Sequence, residues 1–254
     1  MYTLQSNNIA SLYYEALNLI MYEGTETHPR GFDCLELSPI SMTLTEPWKN
    51  ILLNPNRKLN VAYAAAEFLW IIYGRDDVDY ISRFNSKIAD YSDDGKTFFG
   101  AYGIPYAQQE EYVLKTLKED PWSRQAIMTI WRPNPPKTKD IPCTIALHFI
   151  RRPLDKLNLI VYMRSNDIWL GLPYDIHTFT CIQMYIADQL NIDIGTYTQV
   201  DGSLHAYSND FLKLRKYLHS GVNIKPDYQE SEIGCLLEQK EHICAEYLRR
   251  KNVL

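Results

Sequence analysis

The stretch between residues 157 and 190 constrains the fold of this 254-residue chain more than any other part of it. Residues 157–163 form an apolar run typical of a buried strand, and residues 176–190 have the apolar spacing of a long helix. The chain between them carries a cation, a hydroxyl and carboxylates around a Gly-Leu-Pro turn. Such a mixture suits a polar small molecule with an anionic group. We expect the last carboxylate, Asp175, to decide which molecule is bound.

Composition and charge narrow the class of protein. The chain has 46% hydrophobic and 22% charged residues, as a packed soluble core requires, and its length fits one domain over residues 1–254. A net charge of −5 gives no general nucleic-acid-binding surface, and no apolar run approaches the roughly 20 residues that span a membrane. The first residues lack the basic segment of a secretory signal, and five irregularly spaced cysteines fit neither a disulfide framework nor a zinc site. These features predict a cytoplasmic protein.

Hydrophobic spacing predicts helices and strands mixed without a regular βαβ alternation, which favours the α+β class. The predicted helices cover residues 9–23, 61–73, 77–88, 109–118, 176–190 and 209–218. The predicted strands cover residues 36–44, with a bend at the proline, 126–132, 143–150, 157–163 and 196–203. Residues 91–106 and the proline-rich stretch 133–142 are expected to be loops, and the charged tail at 238–254 to be helical or frayed.

Residues 164–176 resemble the substrate-binding segment of the thymidylate synthase family, whose usual form is Arg-Ser-x-Asp-x-x-x-Gly-Leu-Pro-Phe-Asn-Ile. Other motifs of the family resemble further segments of the chain between residues 60 and 210. This resemblance implies a thymidylate synthase-like fold, in which a mixed β-sheet packs against helices and one sheet face forms the interface of a homodimer. It also implies a pyrimidine nucleoside monophosphate as substrate and 5,10-methylenetetrahydrofolate as co-substrate, with no metal.

The segment departs from the family's usual form at two positions, since Tyr174 replaces the Phe and Asp175 replaces the Asn. In the family the Asn reads the edge of uracil, whereas an Asp at this place resembles the deoxycytidylate and cytidylate hydroxymethylases. Cytosine offers its N4 amino group to a carboxylate, which also accepts from N3 when the ring is protonated there. Because a mismatched buried polar pair costs roughly 1–3 kcal/mol, Asp175 is expected to favour a cytosine nucleotide.

Cys143 follows the proline-rich loop and begins a predicted strand. A single cysteine is ordinarily a small buried hydrophobe, but Arg164 beside the neighbouring strand would favour a thiolate here. The Pro-Cys pair resembles the family's nucleophile loop, with Thr144 where the synthases usually carry His. Tyr102, in a Gly-Ala-Tyr-Gly segment, resembles a tyrosine that lies close to that nucleophile. The resemblance therefore implies covalent catalysis by Cys143 with Tyr102 nearby.

Glu67 stands inside an otherwise apolar predicted helix. Because a buried glutamate needs a partner, one interpretation is a structural salt bridge. The other is an acid with a raised pKa that handles protons. The surrounding sequence resembles the family's Glu-Leu-Leu-Trp motif, which implies that Glu67 organises water and protons beside the pyrimidine.

Several arginines around one dianion give forked, charge-assisted hydrogen bonds, and the resemblance implies four phosphate-binding residues: Arg30, Arg124, Arg164 and Ser165. Arg124 resembles the first Arg of the family's Ser-Arg-Arg, which the other subunit supplies, so a homodimer is implied. Gln125 replaces the second Arg of that motif. The resemblance also implies that His205 and Tyr207 bind the sugar hydroxyl, although Ser203 replaces the Asp usual in that motif.

For the folate, the resemblance implies four contact residues: Ile88, Asp167, Leu170 and Gly171. The synthases carry Trp near the reacting carbon, where Asn85 and Ile88 stand here, and residues 252–254 do not resemble the family's chain end. Smaller side chains leave room for water to capture the exocyclic methylene that forms after thiolate addition at C6. We therefore expect 5-hydroxymethylation of dCMP or CMP. The alternatives are a divergent thymidylate synthase that makes dTMP from dUMP, and a catalytically silent nucleotide- or RNA-binding relative.

Overall fold

The computed structural model describes residues 1–221 and 236–251. Its strands are β1 Tyr2–Ser6, β2 Thr25–Thr27, β3 Cys34–Leu37, β4 Ile40–Leu44, β5 Ile127–Thr129, β6 Thr144–Arg151, β7 Lys156–Met163, β8 Asn166–Asp167, β9 Asp193–Asp201 and β10 Leu204–Tyr207. Its α-helices are α1 Ile9–Glu23, α2 Val61–Ile72, α3 Val78–Ser82, α4 Gly103–Glu119, α5 Leu172–Leu190, α6 Phe211–His219 and α7 Leu236–Arg250. Helices and strands are mixed along the chain, so the α+β prediction is confirmed.

Two sheets organise the fold. Six strands form a mixed sheet in the order β1-β4-β9-β7-β6-β5, and four form a smaller sheet in the order β2-β3-β10-β8. In the larger sheet β6 runs antiparallel to β7, and β7 runs parallel to β9. This register aligns Thr144 with Met163 and Met163 with Asp201. The chain before β6 and the chain after β7 therefore meet at one end of these neighbouring strands, beside the end of β9.

Helices α2 and α5 pack against each other in the core beside the larger sheet. Ten of the twelve residues of α2 are buried, and Val61 and Glu67 are the two that stay partly accessible. A helix enclosed on all sides must be apolar all round, as this one is. Each large apolar side chain buried in this way stabilises the fold by about 1.5–3 kcal/mol. The packing holds the one acidic residue of α2 in a fixed place.

The predicted helix at 9–23 is confirmed at both ends, and Asn8 caps it by accepting from the backbone N–H of Ser11 at 2.9 Å. The predicted helix at 176–190 is confirmed, but it begins four residues earlier, at Leu172. Pro173 lies in its first turn, where proline lacks only a hydrogen bond that the helix does not make there. The Gly-Leu-Pro sequence is thus the start of a helix, and Asp175 lies in its first turn.

Some predicted elements were wrong in extent. The helix predicted at 77–88 is divided into α3 and a 3-10 helix, Ser86–Tyr91, whose start Asn85 caps by accepting from Lys87. Helix α4 begins at Gly103, inside the predicted loop. The strand predicted at 36–44 is two strands in different sheets, divided at Ser38–Pro39, and the strand at 126–132 is confined to β5.

Strand β1 was missed, although its side chains alternate between partly buried and exposed. It pairs in parallel with β4, which lies far along the sequence. The predicted helical tail is confirmed as far as Arg250, while residues 252–254 lie outside the described residues. Among the described residues, no helix is long and apolar enough to cross a bilayer.

Candidate active site

The nucleophile candidate lies where the ends of two neighbouring strands meet. Cys143 precedes β6 and Arg164 follows β7, and the backbone N–H of Arg164 donates to the carbonyl of Cys143 at 2.9 Å. The Arg164 side chain donates from Nε to the carbonyl of Pro142 and from Nη2 to that of Ile141, each at 2.9 Å. Its Nη2 lies 3.7 Å from Sγ of Cys143. One guanidinium thus fixes the loop and contacts the thiol.

The charges around Cys143 act in opposite directions. Burial raises the pKa of the Cys143 thiol, and the carboxyl of Asp175 adds to the increase. Arg164 and Arg30 lower the pKa, which is the direction the sequence predicted for Arg164. Burial outweighs them, so the pKa lies above its ordinary value. Arg164 therefore does not by itself keep Cys143 ionised at its ordinary pKa.

Glu67 on α2 uses both carboxyl oxygens. Tyr63 donates its hydroxyl to Oε1 at 3.0 Å, and Thr178 on α5 donates to Oε2 at 2.9 Å. Burial raises the pKa of Glu67, and these two hydrogen bonds partly offset the increase. No salt bridge of the described residues involves Glu67, so the structural ion pair is not supported. The arrangement fits a residue that exchanges a proton.

Asp175 lies in the first turn of α5. Asn166 of β8 lies close enough to lower the pKa of Asp175. A Cβ at Gly171 would lie 2.8 Å from Oδ1 of Asn166 and 3.2 Å from Oδ2 of Asp175, so this close approach requires glycine. Burial raises the pKa of Asp175 well above its ordinary range, and the charges of Glu67 and Asp201 raise it further. Asp175 therefore holds its proton more tightly than an ordinary aspartate.

Four of the residues predicted to bind phosphate and sugar lie together. Arg30 donates from Nη2 to the hydroxyl of Tyr207 at 3.2 Å, and Oγ of Ser165 lies 3.5 Å from Nδ1 of His205. The rings of His205 and Tyr207 meet edge to face, with centroids 4.9 Å apart. Arg30 adopts φ 58°, which is strained for a residue with a side chain and is typical of functional sites. Arg164 adjoins Ser165 along the chain.

Arg124 lies apart from this group. It precedes β5, and the register pairs Ile127 with His148, four residues along β6 from Thr144. At about 3.3 Å per residue, this places Arg124 about 13 Å or more from the Cys143 end of the strand. Its side chain is exposed, and its backbone carbonyl oxygen lies 3.2 Å from Nε2 of His148. Within one chain, the structure does not bring Arg124 to the other phosphate candidates.

The predicted folate contacts lie around the loop before α5 and the 3-10 helix at Ser86–Tyr91. Asp167 accepts from the backbone N–H groups of Trp169 and Leu170, at 2.8 and 2.9 Å. Leu170 is exposed, and Ile88 is half-buried against the core. An exposed apolar side chain beside a polar turn fits a planar heterocycle with polar edges. No group of three or more metal-binding side chains occurs among residues 1–221 and 236–251.

Tyr102 reaches the nucleophile loop from the turn before α4. Its hydroxyl accepts from the backbone N–H of Thr144 at 3.4 Å, and its ring stacks on Phe179 with centroids 6.2 Å apart. The predicted proximity of Tyr102 to Cys143 is thus present, since Thr144 is the next residue along the chain.

Sequence reasoning missed three residues of this region: Arg57, Tyr63 and Asp201. Arg57 is buried, donates to the carbonyl of Trp169 at 2.6 Å and lies over its ring at 4.7 Å. Tyr63 lies four residues before Glu67 on α2, a spacing that places both side chains on one helix face. That spacing was the available signal for Tyr63. For Arg57 the sequence offered none.

The candidate nucleophile Cys143, the nearby arginines and hydroxyls, and the buried carboxyls are the side chains that the family resemblance implies, and comparison with known proteins agrees. The sequence profile described as thymidylate synthase matches residues 11–233. The chain therefore belongs to the thymidylate synthase family.

Three relatives illustrate its place in that family. It is 32% identical over 251 residues to a deoxyuridylate hydroxymethyltransferase of Bacillus phage SP01, a match that covers 89% of this chain and 65% of that protein. It is 30% identical over 217 residues to a deoxyuridylate hydroxymethyltransferase of Pseudomonas phage M6, covering 82% and 62%. It is 29% identical over 178 residues to a thymidylate synthase of Buchnera aphidicola subsp. Schizaphis graminum, covering 63% and 65%. The chain thus spans just under two thirds of the length of these relatives.

Proposed function

We propose that this protein adds a hydroxymethyl group to C5 of a cytosine 5′-monophosphate, dCMP or CMP. The one-carbon donor is 5,10-methylenetetrahydrofolate, and water supplies the hydroxyl. The observation that carries the proposal is a buried carboxyl at the base-reading position, Asp175, whose pKa lies well above its ordinary range. It is an acid at the place where the family's usual motif has an amide.

A carboxylic acid matches the edge of cytosine. Its O–H donates to N3, and its carbonyl oxygen accepts from the N4 amino group. Passing the proton to N3 withdraws electrons from C6 and so assists addition of a thiolate there. Uracil already carries a proton on N3, so it gains nothing from proton donation at that atom. Asp175 can therefore activate cytosine in a way that an asparagine at the same place cannot.

Cys143 is the nucleophile in this proposal, and it forms a covalent bond to C6. Its pKa is raised by burial, so the thiol proton must pass to water as the C6–S bond forms, while Asp175 gives its own proton to N3. Protonation of the ring by Asp175 and the charge of Arg164, 3.7 Å from Sγ, both stabilise that step. When bound, the folate supplies the one-carbon unit that C5 attacks.

Glu67 is the second proton-handling group. Its two hydrogen bonds, from Tyr63 and Thr178, hold the carboxyl in one orientation beside the base-reading residue. It acts on a water molecule at the base, as a group with a raised pKa can do near neutral pH. Asn85 and Ile88 supply the space that admits the water captured at the exocyclic carbon.

Arg30, Arg164 and Ser165 bind the phosphate, and His205 and Tyr207 bind the sugar hydroxyl. Arg164 donates from Nε and Nη2 to the loop carbonyls. Its Nη1 group is therefore left to donate to a phosphate oxygen. Burial lowers the pKa of His205, so its ring is neutral and offers one donor and one acceptor. A neutral ring suits a hydroxyl better than a phosphate.

The functional unit in this proposal is a homodimer in which Arg124 enters the partner's site. Arg124 is exposed and lies far from Cys143 of its own chain. The neighbouring strands β5, β6 and β7 of the larger sheet also expose three large apolar side chains, Ile127, Ile145 and Tyr162. Sedimentation of the purified protein tests this part: a monomer that turns over dCMP would contradict it.

A second candidate is 5-hydroxymethylation of dUMP, the substrate in the printed names of two relatives. A protonated carboxyl can also donate to O4 of uracil and accept from its N3–H. The hydrogen-bond count alone therefore does not separate the two bases. Proton donation to N3 does separate them, because only cytosine gains from it.

Release of tritium from C5-labelled dCMP and dUMP, in the natural protein and in Asp175→Asn, tests the proposal. We expect the natural protein to prefer dCMP, and Asp175→Asn to lose dCMP turnover at least about 10²-fold while keeping or gaining turnover of dUMP. A natural protein that releases tritium only from dUMP would support the second candidate. Equal turnover of dCMP by the natural protein and Asp175→Asn would overturn the role of the acid.

A further inference from the structure

The inward face of β9 carries a row of polar side chains. Tyr197, Gln199 and Asp201 alternate along the strand, so they point to one side, and all three are fully buried. Tyr197 donates its hydroxyl to Oε1 of Gln199 at 2.6 Å. Gln199 donates from Nε2 to both carboxyl oxygens of Asp201, at 2.9 and 3.1 Å. Burying polar side chains costs desolvation free energy, which these hydrogen bonds offset. A strand with only a structural role would avoid that cost by carrying apolar side chains here.

The row ends beside the base-reading carboxyl. Asp201 is the last residue of β9, in register with Met163, so it lies where the active-site loops leave the sheet. Electrostatic interaction joins Asp175 to Asp201, and Tyr197 to both. No salt bridge of the described residues involves either carboxyl. Two buried acids therefore share one region without a cation paired to them.

The groups that face Asp175 come from every element around it. They are Tyr63 and Glu67 from α2, Tyr102 before α4, Cys143 before β6, Asp167 from β8, and Tyr197 and Asp201 from β9. All of these groups are neutral or negative. A second negative charge in such a setting is strongly disfavoured, so the titrations of Asp175 and Asp201 are coupled.

We infer that Asp201 is a positioning residue for the choice of base: it accepts the two hydrogen bonds of Gln199, carries the negative charge of the pair, and so leaves the proton on Asp175. The inference rests on the proposed function, since it assumes that Asp175 reads the base. The amide donors of Gln199 stabilise the ionised form of Asp201. Burial raises the pKa of Asp201 to about 7, so it is the carboxyl of the pair that ionises near neutral pH. Asp175 then remains the acid that cytosine requires.

The first test is the pH profile of kcat/KM on dCMP for Asp201→Asn, which removes the charge and keeps the size. Without the neighbouring charge Asp175 loses its proton more readily, so we expect the alkaline limb to move down by about one pH unit. The matched control is Asp193→Asn, an exposed carboxylate at the other end of β9, which should leave the profile unchanged. A uniform loss of activity at every pH would show a merely structural role and overturn the inference.

The second test needs no substrate and applies even if Asp201→Asn does not fold. Carboxyl titrations are followed by ¹³C NMR in the natural protein and in Asp175→Asn. Because Asp175 is neutral when Asp201 ionises, Asp201 should keep nearly its natural pKa in Asp175→Asn, and the higher of the two coupled carboxyl steps should be the one that disappears. Loss of the lower step instead would show that Asp175 carries the charge of the pair and would overturn the inference. Coupled carboxyls in a protein that turns over only dUMP would overturn the proposed function and leave the coupling intact.

Discussion

The side chain of Arg164 donates to the main-chain carbonyl of Pro142 at 2.9 Å, which fixes the chain immediately before Cys143. A further bond from the same guanidinium reaches the carbonyl of Ile141. Arg164, which the sequence predicts to bind phosphate, therefore also fixes the loop that leads to Cys143. The two hydrogen bonds to the loop depend on the planar fork of arginine, which lysine does not supply.

Arg164→Lys should consequently keep a positive charge near the site and lose the geometry of the loop. We expect kcat to fall about 10²-fold, because a misplaced nucleophile is costly even when its charge environment is kept. Hydrogen exchange of the backbone amides at residues 141–144 should become faster in this variant. Arg215→Lys, an exposed arginine on α6, is the control. Unchanged exchange at 141–144 would show that the fork does not hold the loop.

The raised pKa of Cys143 predicts slow alkylation at neutral pH. Iodoacetamide modification, followed by mass spectrometry of the Cys143 peptide, should have its midpoint above that of a free thiol, because burial raises the pKa. Since Arg164 lowers that pKa, the midpoint in Arg164→Lys should move further up if the lysine lies farther from Sγ. Cys34 and Cys181 are buried and serve as internal references. A midpoint at or below that of a free thiol would contradict the account of the site.

Tyr63→Phe removes one of the two hydrogen bonds that favour the ionised form of Glu67. Its pKa is already raised by burial, and it should rise further. A bond worth about 1 kcal/mol corresponds to roughly 0.7 pH unit. The acidic limb of the kcat profile should move up by that amount, while the KM for the nucleotide stays nearly constant. Tyr22→Phe, an exposed tyrosine on α1, is the control. An acidic limb that does not move would remove Tyr63 from the proton-handling network.

The buried environment of His177 leads to a prediction of how the free energy of unfolding depends on pH. Lys240 donates to its Nε2 at 3.1 Å, which leaves Nδ1 to donate to Asn50 Oδ1 at 3.2 Å. Burial, together with Lys240, lowers the pKa of His177 well below 6.5. The unfolded chain then binds the extra proton below pH 6.5, so the free energy of unfolding should fall as pH decreases from there.

The expected loss is up to about 1.4 kcal/mol for each pH unit below 6.5, measured by urea unfolding at several pH values. In His177→Gln this part of the acid sensitivity should disappear. His219→Gln, at the exposed end of α6, should retain it. The same slope in both variants would show that His177 does not cause the effect.

Local patterns determined what could be predicted from the sequence. Helix α1 and strand β7 were predicted well because their own apolar spacing specifies them. The start of α5 was misjudged because a proline within a turn-like sequence also fits the first turn of a helix. Strand β1 was missed because its partner β4 lies more than thirty residues away in sequence. Pairing of that kind leaves little trace in a short window of sequence.

The same difference between local and long-range patterns applies to the residues of the candidate site. Cys143, Glu67 and Asp175 could be proposed as site residues from the sequence because each stands in a short motif with unusual chemistry for its surroundings. The role inferred for Asp201 depends on the register of β9 against β7, which brings residues of distant segments together. Arg57 contacts Trp169 across more than a hundred residues of chain. Such relationships arise from tertiary packing and have no local signature.

The most direct test of the central claim is mass spectrometry of the products formed from dCMP, CMP and dUMP. Each nucleotide is offered separately with 5,10-methylenetetrahydrofolate in ¹⁸O-labelled water. The account predicts a hydroxymethyl product that carries ¹⁸O on dCMP or CMP, and the faster of these two substrates identifies the sugar. A methyl or hydroxymethyl group gained only on dUMP would contradict it.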